Sequence, residues 1–283
     1  MSVKRGSVKR WHLLRVGACR HPEIMARQGG HVCPVDFPAL VGLILHERFG
    51  PILFDTGYHR RFFTATEAFP ERLYRLMTPV RYDETESLEV QLAGLGLAMQ
   101  DIAGVFVSHF HGDHIAGLRE LPAARIFCAR EGLEKMRQGS RFGRVRQGLL
   151  DALVPDTIDD RAIFLEDMPP QALQLGPFTS GKDLLGDGTL FAVQLKGHCP
   201  GHWGLWVRPH SGPEAFFIGD AAWSISAIAD KVPPPAITTA LLGDTANYRA
   251  TLSALGQLMT AMPQVEIIPS HCEVTAQKWL GHG

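Results

Sequence analysis

The run Ser108-His109-Phe110-His111-Gly112-Asp113-His114 concentrates three imidazoles and one carboxylate. It directly follows the apolar run Ile102 to Val107, whose length and composition predict a buried strand. Residues i and i+2 of an extended segment face the same way, so His109 and His111 can bind one metal ion. A turn at the following glycine would direct the next carboxylate and imidazole toward a second ion. Together these groups suit zinc, iron or manganese, and the alternative is a histidine-rich surface loop.

Three further polar motifs each follow a predicted strand. They are Gly197-His198 after residues 190–195, Gly219-Asp220 after residues 215–218, and Ser270-His271 after residues 265–268. Each motif alone is typical of an ordinary turn. Side chains just beyond strand ends are held by a rigid sheet and reach solvent, so the four motifs together predict one polar site.

The composition is that of a folded globular protein. The chain has 283 residues, of which 45% are hydrophobic and 20% charged, with a formal net charge of −1. This balance argues against intrinsic disorder and against a general nucleic-acid binder. No apolar stretch reaches the roughly 18 residues of a membrane-spanning helix, and no apolar signal core follows the basic start of the chain. We therefore predict no nucleic-acid or membrane partner and a cytoplasmic location.

Hydrophobic periodicity predicts strands and helices mixed through the whole chain. The predicted strands are 11–18, 38–46, 52–54, 102–107, 125–128, 190–195, 203–207, 215–218 and 265–268. The predicted helical segments are 84–98, 129–154 and 244–262, the last with Asp244 or Thr245 as its N-cap. Segments 139–161 and 176–188 are predicted to form loops or lids.

The motif His109-x-His111-x-Asp113-His114, followed by the three strand-end motifs, resembles the signature of the metallo-β-lactamase superfamily. The resemblance extends from Asp55-Thr56-Gly57 to His271. It implies an α/β (α+β) fold, a four-layered αβ/βα sandwich in which two sheets face each other and helices lie outside. It also implies that residues 1–283 form one domain, with sheet halves near 10–160 and 161–275.

The same resemblance assigns ligands to two divalent metal ions per chain. One ion would be held by His109, His111 and His198, the other by Asp113, His114 and His271, and Asp220 would bridge them. Zinc is the expected metal, with manganese or iron as alternatives. Asp55 would orient a ligand imidazole, and a plain turn aspartate is the competing interpretation.

A centre of this kind predicts hydrolysis. Two metal ions can share a hydroxide that forms near neutral pH and attacks a carbonyl carbon or a phosphorus atom. Asp113 could then pass a proton to the leaving group. The long stretch before His109 and the short one after His271 resemble the N-acyl-homoserine-lactone lactonases. We therefore expect an enzyme that opens a small-molecule lactone or cleaves a related carboxylic ester.

One residue departs from the lactonase pattern. Those lactonases carry a tyrosine three residues after the bridging aspartate, where its hydroxyl contacts the substrate carbonyl, and this chain has Trp223 there. An indole donates one hydrogen bond and accepts none, which favours either a substrate other than a homoserine lactone or an oxyanion stabilised by metal alone. From its position in the pattern we predict Trp223 to be catalytic, with core packing as the alternative. A thioesterase, a phosphodiesterase and a non-catalytic metal-binding regulator remain alternative functions. Assembly into a homodimer is also left open.

Other polar residues lie close to the motifs. The five cysteines form no CxxC pair, which argues against a disulfide scaffold or a cysteine-type zinc site. Cys199 and Cys272 follow ligands directly and are expected to point away and pack behind the site. His202 is expected to have a supporting or structural role. A basic segment could attract an anionic substrate or form a solvated helix face; its members are Arg137, Arg141, Arg144 and Arg146.

Overall fold

The chain folds into two mixed β-sheets in the computed structural model, which describes residues 7–280. The first sheet contains β1 Val8–Pro22, β2 Pro34–His46, β3 Gly50–Phe54, β4 Val80–Arg81, β5 Gly104–Phe106, β6 Arg125–Cys128 and β7 Ala162–Phe164, in the spatial order β4-β1-β2-β3-β5-β6-β7. The second contains β8 Gln171–Leu175, β9 Phe178–Asp183, β10 Leu190–Gln194, β11 Trp203–Val207, β12 Glu214–Gly219 and β13 Val265–Pro269, in the order β13-β12-β11-β10-β9-β8.

Helices cover the outer faces and connect the strands. They are α1 Arg60–Ala65, α2 Arg72–Met77, α3 Leu88–Gly94, α4 Gly112–Ile115, α5 Arg130–Gln138, α6 Arg141–Arg146, α7 Ile158–Arg161, α8 Ile225–Asp230, α9 Ala236–Leu242, α10 Thr245–Ala261 and α11 Glu273–Trp279. Short 3-10 turns span Glu23–Met25, Glu84–Glu86, Met99–Asp101, Leu118–Glu120, Asp151–Leu153 and Leu165–Asp167. Within residues 7–280, no helix combines the length and the apolar character needed to cross a membrane.

Alternation of side chains along the strands builds the layers. In β5, Val105 packs with the helices outside the first sheet, whereas Phe106 packs between the sheets. In β12, Phe217 joins that inter-sheet cluster and Phe216 packs on the outer side with α10. The Phe54 ring lies 5.6 Å from the Phe106 ring and 5.2 Å from the Phe217 ring, and burying each such side chain contributes about 1.5–3 kcal/mol. The predicted four-layered sandwich is confirmed.

The strand directions bring the polar motifs to one edge of the sandwich. Strands β3, β5, β6 and β7 run parallel to one another, and β12 runs parallel to β13. The carboxyl ends of parallel neighbours meet at the same edge of a sheet. The residues that follow β5 therefore lie at the carboxyl edge of the first sheet, and those that follow β12 and β13 lie at the carboxyl edge of the second.

Several local predictions are corrected by the structure. The segment 176–188 contains strand β9, and Gly181 fits that strand because a Cβ there would lie 2.6 Å from Leu173 Cδ1. The helix predicted over 84–98 is shortened to Leu88–Gly94, since Gly96 adopts φ +75°. The predicted segments 129–154 and 139–161 overlap, and the structure places helices α5, α6 and α7 there with a break at Gly139.

The long helix near the end of the chain begins as predicted. Asp244 is its N-cap, and the carboxylate accepts a hydrogen bond of 2.7 Å from the Asn247 N–H. The assignment of residues 1–283 to one domain stays a prediction, and residues 1–6 and 281–283 lie outside the described part of the chain.

Candidate metal centre

All seven predicted ligands converge in one buried cluster. Each lies just beyond the end of a strand or in α4, and each is at most 8% exposed; they are His109, His111, Asp113, His114, His198, Asp220 and His271. Gly219 makes the close approach possible, because it adopts φ +54° and a Cβ there would lie 2.8 Å from His202 Nε2. The sheet edge thus gathers residues that are up to 162 positions apart in the sequence.

The carboxylate of Asp220 stands between two groups of imidazoles. Its Oδ2 lies 3.3 Å from His198 Nε2. Its Oδ1 lies 3.3 Å from His114 Nε2 and 3.2 Å from His271 Nε2. Asp113 Oδ2 adds a contact of 3.3 Å to His271 Nε2, and His198 Nε2 lies 3.1 Å from His111 Nδ1. One carboxylate therefore presents one oxygen to each side of the cluster.

The outward nitrogens of three imidazoles are fixed by hydrogen bonds. His114 Nδ1 donates to Asp55 Oδ2 at 2.7 Å, and His271 Nδ1 donates to the Pro38 carbonyl at 2.7 Å. His109 Nδ1 lies 3.0 Å from Ser108 Oγ, which itself donates to Asp55. Because Nδ1 donates outward in His114 and His271, their Nε2 atoms point into the cluster, where each can bind a metal ion once it has lost its proton.

Asp55 orients the neighbouring imidazole although its own backbone conformation is unfavourable. It adopts φ +61°, in the left-handed region that costs a non-glycine residue about 1–2 kcal/mol. Its carboxylate accepts from the Ser108 N–H and hydroxyl, both at 2.8 Å, and from His114. The predicted role of Asp55 in orienting a ligand imidazole fits these contacts better than a plain turn.

The inward atoms of the cluster have no hydrogen-bond partner among the described residues outside the cluster. The Nε2 atoms of His109, His114 and His271 and the Oδ1 atom of Asp220 are buried, and the contacts among them lack hydrogen-bond geometry. Leaving such atoms unpaired is costly, and nitrogen and carboxylate oxygen are the donors that zinc and related ions prefer. The ligand atoms of Asp113, His114 and His271 lie within 4.8 Å of one another, as do those of His109, His111, His198 and Cys199. The residues present therefore fit divalent metal ions.

Electrostatics divides the imidazoles into two kinds. Burial lowers the pKa of His111 to about 4 and the pKa values of His109 and His198 well below the usual range. These three are neutral and can donate a lone pair. Burial also lowers the pKa of His114 and of His271, but nearby carboxylates outweigh it and raise both values well above the usual range. The carboxylates that favour a proton on His114 and His271 can also stabilise a bound metal cation.

His202 supports Asp220 through the backbone. Its Nε2 accepts a hydrogen bond of 3.1 Å from the Asp220 N–H, so its Nδ1 carries the proton and donates to the Leu195 carbonyl at 3.1 Å. The residue is 1% exposed and links the end of β10 to the end of β12. This agrees with the structural role predicted for it.

The two cysteines that follow candidate ligands in the sequence lie in different surroundings. Cys272 Sγ accepts a hydrogen bond of 3.4 Å from the Ile225 N–H at the start of α8. Cys199 was expected to point away from the site, and that prediction is wrong, because its Sγ lies within 4.8 Å of ligand atoms of His109, His111 and His198. The alternation rule fails here because residues 195–202 form turns rather than an extended strand.

A cavity of about 590 Å³ opens onto the cluster. Four of the candidate ligands reach it, namely His111, Asp113, His198 and Asp220. Most of the remaining surface is aliphatic or aromatic, with aromatic contributions from Tyr58, Tyr74, Phe142, Trp223 and Tyr248. Trp223 lies at the border between the cavity and the cluster, and its ring centroid is 4.6 Å from that of His271 and 5.1 Å from that of Phe37.

The four arginines of the basic segment differ in their partners. Three of them form ion pairs, Arg137 with Asp159 at 2.7 Å, Arg141 with Glu71 at 2.6 Å and Arg144 with Asp151 at 2.7 Å. Arg146 lines the cavity and forms no ion pair with any residue in 7–280. The predicted attraction of an anion therefore rests on one side chain.

Sequence reasoning missed the tyrosines of the cavity. Tyr58 follows Asp55-Thr56-Gly57 directly, whereas Tyr74 lies in α2 and Tyr248 lies in α10. The position of Tyr58 beside the aspartate motif was the one available signal. No sequence signal marks the other two, because α2 was not predicted and the helix over 244–262 was predicted without any link to the site.

Comparison with known proteins agrees with this geometry. The chain matches the family described as the Metallo-beta-lactamase superfamily over residues 36–271. It is 28% identical over 158 residues to N-acyl homoserine lactonase AttM of Rhizobium radiobacter, covering 54% of this chain and 53% of that protein. It is 26% identical over 211 residues to N-acyl homoserine lactonase AiiB of Agrobacterium fabrum, covering 73% and 70%. The match therefore spans about half the length of the first relative.

Solved structures show the same fold. An N-acyl homoserine lactone hydrolase with N-hexanoyl-L-homoserine bound at its catalytic metal centre superposes with a TM-score of 0.73 at 17% identity, covering 96% of both chains. AidC, a dizinc quorum-quenching lactonase, gives a TM-score of 0.62 at 16% identity, covering 96% of this chain and 91% of the other.

Proposed function

Because this chain belongs to the metallo-β-lactamase superfamily, we propose that it is a metal-dependent hydrolase that opens a lactone or cleaves a related carboxylic ester. The observation that carries the proposal is the position of Asp220. Its two oxygens face different groups of imidazoles at 3.2–3.3 Å, as expected of a carboxylate that bridges two ions. Relatives that act on N-acyl homoserine lactones support the choice of reaction.

We propose that two divalent ions, zinc in the first instance, occupy the cluster. His109, His111 and His198 would hold one, Asp113, His114 and His271 the other, and Asp220 both. When bound, such ions supply Lewis acidity and a water that is deprotonated near neutral pH. Nitrogen-rich donor sets with carboxylates favour zinc, while manganese and iron remain compatible.

Other residues of the chain hold the metal-binding side chains in place. Asp55, Ser108 and the Pro38 carbonyl lock the imidazoles so that their Nε2 atoms face inward. This preorganisation means that little rearrangement is needed when charge develops on the substrate. Asp113 reaches both the cluster and the cavity, and its carboxylate is placed to take a proton from the attacking water and to pass it to the departing oxygen.

The cavity points to a small substrate with an apolar substituent. Its wall is mainly aliphatic and aromatic, and its volume of about 590 Å³ is in the range of ordinary ligand sites. Trp223 stands where the lactonase pattern has a tyrosine, at the border with His271. We propose that its indole shapes the site and contacts the reacting group. A cytoplasmic location and a homodimer remain predictions from the sequence.

The test is metal content followed by a substrate screen. Elemental analysis of the zinc-loaded and manganese-loaded protein is expected to give two equivalents per chain. The loaded protein is then assayed against lactones, aryl esters, thioesters and phosphodiesters, with lactones expected to give the highest kcat/KM. Preferred cleavage of thioesters or phosphodiesters would replace the lactonase proposal by one of the alternatives. A folded protein that binds no metal would favour a non-catalytic role.

A further inference from the structure

Tyr58 belongs to the wall of the cavity and is held rigidly there. It follows the Asp55 motif, and its backbone N–H donates to the Val16 carbonyl at 2.9 Å. Its ring packs edge-on against Phe62, with centroids 5.2 Å apart, and the whole residue is 1% exposed. The hydroxyl therefore has a fixed position.

That hydroxyl has no oxygen or nitrogen partner among residues 7–280. It is buried beside the Cys19 thiol, a weak hydrogen-bonding group, and the residue lines the cavity together with Asp113 and Trp223. Buried polar groups are nearly always paired, and an unpaired one in a rigid site costs stability. A buried hydroxyl with only a thiol beside it, on a residue that lines the cavity, is therefore a candidate donor to a bound ligand.

We propose that the Tyr58 hydroxyl donates a hydrogen bond to an oxygen atom of the bound substrate, on the side of the cavity where Asp113 lies. This inference rests on the proposed function, because the oxygen would belong to a lactone or an ester. It makes Tyr58 a substrate-binding residue that selects for an oxygen acceptor in an otherwise apolar cavity.

The surroundings of the Tyr58 hydroxyl keep it protonated, so that it can donate a hydrogen bond. Burial raises the pKa of Tyr58 well above its ordinary value, and the Asp113 carboxylate and the Cys19 thiol raise it further. Burial also raises the pKa of Cys19 to about 12, so the thiol stays protonated and is at most a weak partner. Tyr74 differs, since its side chain is hydrogen-bonded to the backbone of Gly112.

The test is Tyr58→Phe, which removes one oxygen atom and keeps the ring. We expect kcat/KM for the best lactone to fall about tenfold or more, on the scale of one lost hydrogen bond to a reacting oxygen. Metal content should be unchanged, and Tm should change little because the hydroxyl has only the weak Cys19 thiol as a protein partner to lose. Tyr82→Phe is the matched control, since Tyr82 lies outside the cavity.

Binding of N-hexanoyl-L-homoserine, measured by calorimetry on the metal-loaded proteins, separates this inference from the proposed function. We expect Tyr58→Phe to weaken that binding at least fivefold. A wild type without lactone or ester turnover would refute the proposed function, and Tyr58 would then be judged on binding alone. Equal kcat/KM, or binding that is equal or absent in both proteins, overturns the role of Tyr58. A clear drop in Tm and metal content in Tyr58→Phe would show that the hydroxyl is structural.

Discussion

The two sides of the cavity are built in different ways. On one side stand the metal-binding candidates, which extend from strand ends and from the short helix after β5. Three of their imidazoles are tethered by hydrogen bonds to Ser108, Asp55 or the Pro38 carbonyl. On the other side stand aliphatic and aromatic residues from α2, α6, α9 and neighbouring loops.

This contrast separates reaction chemistry from substrate choice. Ligand geometry must be held to fractions of an ångström, and a sheet edge provides that rigidity. A substrate wall of helices and loops can change shape without disturbing the sheet. We therefore expect substitutions on the ligand side to abolish turnover, and substitutions on the other side to change its selectivity.

The largest effect is expected from Asp220→Asn. An amide keeps the size of the side chain but removes the negative charge that faces His198, His114 and His271. Metal content and kcat/KM should fall together, with activity reduced at least about a hundredfold. Elemental analysis and steady-state kinetics on the same preparation measure both.

The matched control is Asp187→Asn. Asp187 also pairs with a buried histidine, His46 at 2.8 Å, but this pair lies outside the metal cluster. Its loss should leave metal content and turnover close to wild type. Two bound metals and normal turnover in Asp220→Asn would refute the bridging role.

The ligand side could be predicted from the sequence because its residues are chemically rare and follow strands. The motif at His109 and the polar pairs after β10, β12 and β13 gave the whole cluster, and Asp55 was also identified. Cys199 could not be placed, because the turn at 195–202 breaks the alternation on which the prediction relied. The layers were predictable since apolar runs mark buried strands.

The substrate side could not be predicted in the same way. Tyr58, Tyr74 and Tyr248 come from three distant segments, and aromatic residues in helices are usually core residues. Likewise, the sequence grouped four arginines that the structure separates into three paired residues and Arg146. Such positions depend on how loops pack, and local patterns contain little information about that.

A smaller effect is expected from Trp223, which lies where the two sides meet. Trp223→Phe removes the indole N–H and part of the packing on His271. We expect kcat/KM to fall about tenfold if the N–H contacts the reacting group, since one such hydrogen bond is worth about 1.5–3 kcal/mol. Trp223→Tyr should raise the rank of acyl-homoserine lactones within a panel of lactones and esters. An unaltered ranking in both variants, with only a lower Tm, would assign Trp223 to the core.

The smallest effect is expected from Arg146, which is exposed at the cavity and has no acidic partner among residues 7–280. Exposed charges contribute little to affinity and are screened by salt, so its influence should be confined to anionic substrates. Arg146→Gln should lower kcat/KM for a carboxylate-bearing lactone about threefold at low ionic strength and leave a neutral lactone unaffected. Adding salt should remove the difference between wild type and variant. Arg137→Gln is the control, because Arg137 is paired with Asp159 and lies outside the cavity. If Arg146→Gln changes kcat/KM equally for charged and neutral lactones, Arg146 is a solvated residue that does not contribute to recognition of substrate charge.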